Sequence, residues 1–221
     1  MDYGWIEGSP EFKAKVSSLY KNMPVDNILQ TNGATGATML ALYALIEPED
    51  HVISMYPTYQ QLYDIPKSLG AEVDFWEVQE DKGWLPDLDQ LRRLIRPNTK
   101  MICINNANNP TGALMDASYL KELVAIAKEV GAYIFSDEVY RNFDHPAPSI
   151  VDLYDTGITV NSLSKTYSIP GIRVGWVASN AEVASILRDY RDYTMICAGV
   201  FDDMVATLVL KNKEAILERN R

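Results

Sequence analysis

Cysteine and histidine are scarce in this sequence, two of each among 221 residues. Cys103 and Cys197 each sit inside an apolar run and read as two buried free thiols. That is neither a disulfide framework nor a metal clamp, and it fits a reducing, cytoplasmic setting. His51 and His145 stand alone, without a partner at metal-ligand or catalytic-triad spacing, so neither is given a role and no metal is expected. Basic residues are outnumbered, 20 Lys and Arg against 30 Asp and Glu for a formal net charge of -10. They are also thinly spread, which argues against nucleic acid or an anionic membrane as partner. Long apolar runs are missing: no window reaches the length that spans a bilayer. The opening MDYGWIEGSPEF lacks the basic head and apolar stretch of a secretion signal. A soluble protein is expected.

What is present is enough apolar material for a core, 47% of residues against 23% charged, in a chain of one large or two small domains. Short β-branched runs alternate with longer segments of helical period, the pattern of a mostly parallel sheet covered by helices on both faces, a three-layer αβα sandwich. Strands are expected at His51 to Met55, Glu72 to Val78, Lys100 to Ile104, Ala132 to Ser136, Ile158 to Asn161 and Arg173 to Ala178. A helix should follow Asp116 as N-cap, with Leu120, Leu123, Val124, Ala127 and Val130 on one face and Gly131 ending it. Another is expected from Gly36 to Ile46, with Met39, Leu40, Tyr43 and Ile46 recurring at helical spacing. The closing LVLKNKEAILERNR reads as one uncapped helix. The whole of 1–221 reads as one α/β domain, expected to be a fragment.

Several runs carry chemistry-bearing residues at strand ends, where ligands of open α/β sheets gather. In ITVNSLSKTYSIPGIR a strand gives way to Ser162, Ser164 and Lys165, then Arg173. An amine held among hydroxyls beside a guanidinium should have a lowered pKa, which suits a nucleophile. Asp137 and Tyr140 close YIFSDEVY; the Asp either caps a turn or pairs with a protonated ring nitrogen. INNANNPTG is a turn by composition, with Asn109 as turn residue or ligand donor. QTNGATGAT precedes a helix, so the backbone N–H groups of Ala34 and Thr35 could face a phosphate. Tyr59 of YPTYQQLY either packs or stacks on a flat ligand.

In this order, the Gly-Ala-Thr loop, YPTY, NNPTG, SDEVY and SLSKTYSIPGIR resemble the successive cofactor contacts of the fold-type I, class I/II (aspartate aminotransferase-like) pyridoxal 5′-phosphate (PLP) aminotransferases, over Tyr3 to Arg221. The resemblance implies that Lys165 carries the cofactor as a Schiff base and shuttles a proton between the amino acid's α-carbon and the cofactor. It implies Asp137 on the pyridine nitrogen, Asn109 and Tyr140 on the phenolic oxygen, and Tyr59 against the ring. Phosphate would be held by Ala34, Thr35, Ser162, Ser164 and Arg173. Tyr3, in YGWIEGSPEF, matches a tyrosine that crosses a homodimer interface to the neighbouring cofactor phosphate. The implied reaction moves an α-amino group between an amino acid and a 2-oxo acid. The family's N-terminal arm and C-terminal small domain, which supplies the arginine for the substrate α-carboxylate, have no counterpart in the sequence, which puts the activity of the chain by itself in doubt.

A PLP-dependent carbon–sulfur β-lyase would use the same lysine and is the main alternative. A PLP-binding regulator domain is a third reading. An NAD-dependent short-chain dehydrogenase is suggested by NGATGA and by Tyr63 with Lys67, but Pro66 is expected to break the helical face that pair would share.

Overall fold

The computed structural model describes residues 2–141 and 147–220, so His145 lies outside the described residues. Ser9 starts the first helix: its side chain accepts the Phe12 N–H and Pro10 takes the first position, where a missing N–H costs nothing. The elements then run α1 (Pro10–Ser17), β1 (Ile28–Asn32), α2 (Gly33–Leu45), β2 (His51–Tyr56), α3 (Gln61–Ser68), β3 (Glu72–Gln79), β4 (Leu85–Pro86) and α4 (Leu88–Leu94). They continue with β5 (Thr99–Asn105), α5 (Ala117–Val130), β6 (Tyr133–Asp137), β7 (Gly157–Ser162), β8 (Val174–Ala178), α6 (Ala181–Arg191), α7 (Val200–Lys211) and α8 (Lys213–Asn220).

Eight strands form one sheet in the order β1-β8-β7-β6-β5-β2-β3-β4. The five strands β7, β6, β5, β2 and β3 run parallel. β8 is antiparallel to β7, and β1 is antiparallel to β8. β1 therefore points the same way as β7, and the C-terminal ends of β1, β2, β5, β6 and β7 meet the start of β8 at a single edge.

Alternation along each strand feeds two faces. Met101 and Cys103 of β5 pack with Leu40, Ala41 and Leu45 of α2 and with Leu187 of α6. Ile102 and Ile104 pack on the other face against Leu120, Leu123 and Ala127 of α5. On that same face, Trp176 of β8 meets Phe12 of α1 and Ala206 of α7. The three-layer αβα expectation holds.

The six expected strands lie within one residue of their observed bounds, and α5 runs from the Asp116 cap, which accepts the Tyr119 N–H, to Gly131 at φ 68. β1 and β4 were not foreseen. β1 carries buried Gln30 and Thr31, which break its apolar run, and β4 has only two residues. Three details differ. Met39 and Tyr43 of α2 are 40% and 45% exposed; Ala37 and Ala41 face the core instead, because a helix apolar on most sides has no unique buried stripe. The closing segment is two helices, broken at Asn212, rather than one. Cys197 is half-buried, while Cys103 is fully buried; both are free.

α3 supplies another correction. It runs through Pro66, and the Lys67 ammonium lies 5.4 Å from the centre of the Tyr63 ring, so the two do share a face. Both also pack on Phe75, which occupies them away from the sheet edge described below. No helix among the described residues is long and apolar enough to cross a membrane.

Candidate active site

A cavity of about 210 Å³ opens at the shared strand edge. Ten of the eleven residues singled out in the sequence line it: Ala34, Thr35, Tyr59, Asn109, Asp137, Tyr140, Ser162, Ser164, Lys165 and Arg173. Each ends or follows a strand, or in the case of Arg173 precedes a strand that runs the opposite way. Tyr3 is not among its lining residues and is 84% exposed. Asn105, Gln61, Val139 and Pro170 also line the cavity and had been given no role. Asn105 and Gln61 sit inside the motifs INNANNPTG and YPTYQQLY, but composition alone could not say which Asn or Gln turns inward.

At the β1–β8 end the backbone is bare. Gly33 adopts φ 70 as β1 enters α2, and a Cβ there would lie 2.7 Å from Arg173 Nη2. Gly175 of β8 passes directly beneath: a Cβ on it would lie 2.4 Å from the Gly33 carbonyl carbon and 2.6 Å from the Ala34 nitrogen. This close approach brings the first N–H groups of α2 to the cavity, with the positive end of the helix dipole behind them. Arg173, itself at φ 53, is held by its Nη1 donating to the Pro170 carbonyl at 2.7 Å and to Ser164 Oγ at 3.4 Å. Gly175→Ala is expected to destabilise the fold by about 1–3 kcal/mol, the usual cost of forcing atoms into a filled space. It should also weaken anion binding at the loop; thermal unfolding and phosphate titration would check both.

Lys165 follows β7. Its amine makes no hydrogen bond or ion pair among the described residues, so its reactive atom is left to the cavity. Ser162 is buried beneath it and accepts the Ser164 N–H at 3.3 Å.

Asp137 and Glu138 are neighbours with opposite surroundings. Glu138 Oε1 accepts from Ser149 Oγ, the Ile150 N–H and Thr159 Oγ1 at 2.9–3.1 Å, and its Oε2 lies 3.7 Å from Arg141 Nε. It is a structural carboxylate. Asp137 Oδ1 accepts only the Val139 N–H, at 3.1 Å, and its second oxygen accepts nothing among the described residues. Burial pushes the Asp137 carboxyl up to about 7; the Val139 N–H opposes this, Glu138 adds to it, and the Lys165 ammonium opposes it.

Three of the four asparagines of INNANNPTG are spent on the loop itself. Asn106 exchanges both amide bonds with the Met115 backbone, and Asn108 donates to the Pro57 carbonyl and to Thr111 Oγ1. Asn105 holds the Asn109 N–H. That leaves the Asn109 side chain free to face the cavity. Tyr59, 42% exposed, presents its ring from the β2 side. His51 lies elsewhere: its Nδ1 meets Thr99 Oγ1 at 2.8 Å and its Nε2 meets Asp74 at 3.1 Å, a buried structural histidine at the opposite end of β2. Among the described residues, no three His, Cys, Asp or Glu side chains gather as metal ligands would.

Sheet order and cavity together define an α/β domain of the aminotransferase fold. A PLP-dependent aminotransferase from Streptococcus suis superposes with a TM-score of 0.97 at 72% identity, covering 99% of this chain and 59% of that one. Residues 1–218 match the sequence profile of Aminotransferase class I and II, and the chain belongs to that PLP-dependent family. An aspartate aminotransferase of Pyrococcus horikoshii is 31% identical over 97% of this chain and 59% of its own length. Capreomycidine synthase of Streptomyces vinaceus is 28% identical over 95% and 55%. The chain thus spans between half and two thirds of the length of these relatives.

Proposed function

We propose that residues 1–221 form the PLP-binding large domain of an aminotransferase that moves an α-amino group between an amino acid and a 2-oxo acid through Lys165. The observation that carries this reading is the set of groups gathered along the sheet edge. Bare N–H groups and a guanidinium come from β1 and β8, the amine from β7, the buried carboxylate from β6, amides from β5 and an aromatic ring from β2. PLP needs donors for its phosphate, an amine for its aldehyde, donors for its phenolic oxygen, an anion for its ring nitrogen and a flat surface for its ring, and this edge offers each. The unpaired oxygen of Asp137 is the strongest sign of fit, since a buried carboxylate facing a cavity calls for a cation or donor there.

Bound in this cavity, PLP supplies an aldehyde that condenses with amines and a ring that accepts the electron pair of a breaking bond. The residues do the rest. The N–H groups of Ala34 and Thr35, the hydroxyls of Ser162 and Ser164 and the Arg173 guanidinium hold the phosphate. Asp137 stays ionised against the ring N–H, and Asn109 and Tyr140 donate to the phenolic oxygen. Tyr59 covers the ring face. Lys165 Nζ would anchor the cofactor and is placed to take the proton from the substrate α-carbon.

The same reading makes the protein a homodimer in which Tyr3 reaches the neighbouring subunit's phosphate. An apolar face supports that partner: Trp5, Met204 and Leu208 are each at least 60% exposed around a groove of about 740 Å³. A cytoplasmic location is supported by the two free thiols.

The test is to load the protein at its full natural length with PLP and offer single amino acids with a 2-oxo acid. Amine transfer, seen as a new amino acid and a new oxo acid, is expected. Release of ammonia with cleavage at the side-chain β-carbon and no transfer would overturn the transaminase reading in favour of a lyase.

A further inference from the structure

Asn105 is the last residue of β5 and pairs in register with Asp137 on β6. It is 1% exposed, and both ends of its amide are engaged. Nδ2 donates to the Asp137 carbonyl at 3.0 Å, and Oδ1 accepts the Asn109 N–H at 2.7 Å. One rigid planar group thus joins the residue that ends β6 to the residue that the Asn-Pro loop presents to the cavity. The Asp137 carbonyl takes a second donor, the Asn106 N–H at 2.9 Å, so the strand end is fixed from which Asn105 measures.

We infer that Asn105 is a positioning residue that sets the separation of Asn109 and Asp137, so that the two move as one unit. The inference rests on the reading of the cavity as a PLP site, in which those two groups hold the phenolic oxygen and the ring nitrogen. A side chain of this kind needs a donor and an acceptor at opposite ends of a short plane. Leucine has neither, serine reaches only one partner, and aspartate lacks the donor. If the amide is removed, the Asn109 N–H and one lone pair of the Asp137 carbonyl lose their partner, and the Asn-Pro loop is released from the strand end.

The test uses PLP absorbance in the full natural protein. In the wild type a visible band is expected whose pH titration has a single midpoint. In Asn105→Ala, a displaced Asn109 donates less well to the phenolic oxygen, so the anionic form of the bound chromophore is less favoured. The midpoint should rise by about one pH unit, and PLP binding to the cofactor-free protein should weaken about tenfold. A double-mutant cycle with Asn109→Ala separates positioning from general packing: the shift caused by Asn105→Ala should fall by at least half when Asn109 is already alanine. If Asn105→Ala does not fold, Asn105→Ser, whose hydroxyl and a water can fill the space, gives the same readouts. An unchanged midpoint in a folded variant, or fully additive shifts, overturns the inference while leaving the PLP site intact. No band in the wild type overturns the site itself and the inference with it.

Discussion

Lys165→Ala is expected to abolish borohydride-fixed attachment of PLP and to lower amine transfer by about 10⁴-fold, the upper end of what a positioned proton-transfer group contributes. Among the described residues no other lysine lines the cavity, so nothing can take over the anchoring or the proton transfer. The phosphate donors come from other positions, Ala34, Thr35 and Arg173, so cofactor should still bind without a bond. The folded state should survive, because the Lys165 amine makes no hydrogen bond or ion pair among the described residues whose loss would cost stability. Mass spectrometry after reduction, with equilibrium dialysis of PLP, checks both halves. A variant that still carries reduced cofactor covalently at another lysine would sink the assignment.

The second large effect is at Asp137, and it should have opposite signs with and without cofactor. In the cofactor-free protein, burial lifts this carboxyl to about 7 from an ordinary 3.8. Between those values the unfolded chain has lost the proton while the folded one retains it, so stability falls as pH rises from about 4 to about 7 and is level above. Asp137→Asn removes that slope and should leave the cofactor-free variant more stable than the wild type at pH 8, on the order of a few kcal/mol. Thermal unfolding across pH 4–8 measures it. With PLP bound, the ring N–H is the partner the second oxygen lacks, and the amide cannot hold a proton on the ring. The half-reaction should slow about 10²–10³-fold, as when a preorganised electrostatic partner is removed. A loaded Asp137→Asn that abstracts the α-proton at the wild-type rate would sink the role given to Asp137.

This trade follows from two adjacent residues with different surroundings. In SDEVY the sequence offers two carboxylates and no way to rank them by pattern alone. Strand alternation sends Asp137 to the cavity and Glu138 into a cage of Ser149, Thr159 and the Ile150 N–H. Its position at the strand end left Asp137 as turn cap or ring partner, the resemblance to a known family favoured the second, and the fold explains that choice. The reverse holds at α3, where a local rule about Pro66 failed: the eight-residue helix continues through it, so the distance of Tyr63 and Lys67 from the cavity is what separates them from the site.

By itself the sequence determined the elements. Period-2 and period-3.6 patterns, the Asp116 cap and Gly131 are local signals, written within one or two turns of chain, and six strands could be bounded from them within one residue. It also contained the site residues in their order, because each motif follows or precedes a strand. Only the tertiary structure decided that these residues share one edge. That outcome depends on β8 running antiparallel to β7, and on β1 pairing with β8 and Gly175 passing under Gly33, the last two being contacts between residues more than a hundred positions apart. It likewise decided which asparagine of INNANNPTG faces the cavity and which helical face is buried. Those choices are set by packing and hydrogen bonding between elements, which no stretch of sequence carries alone.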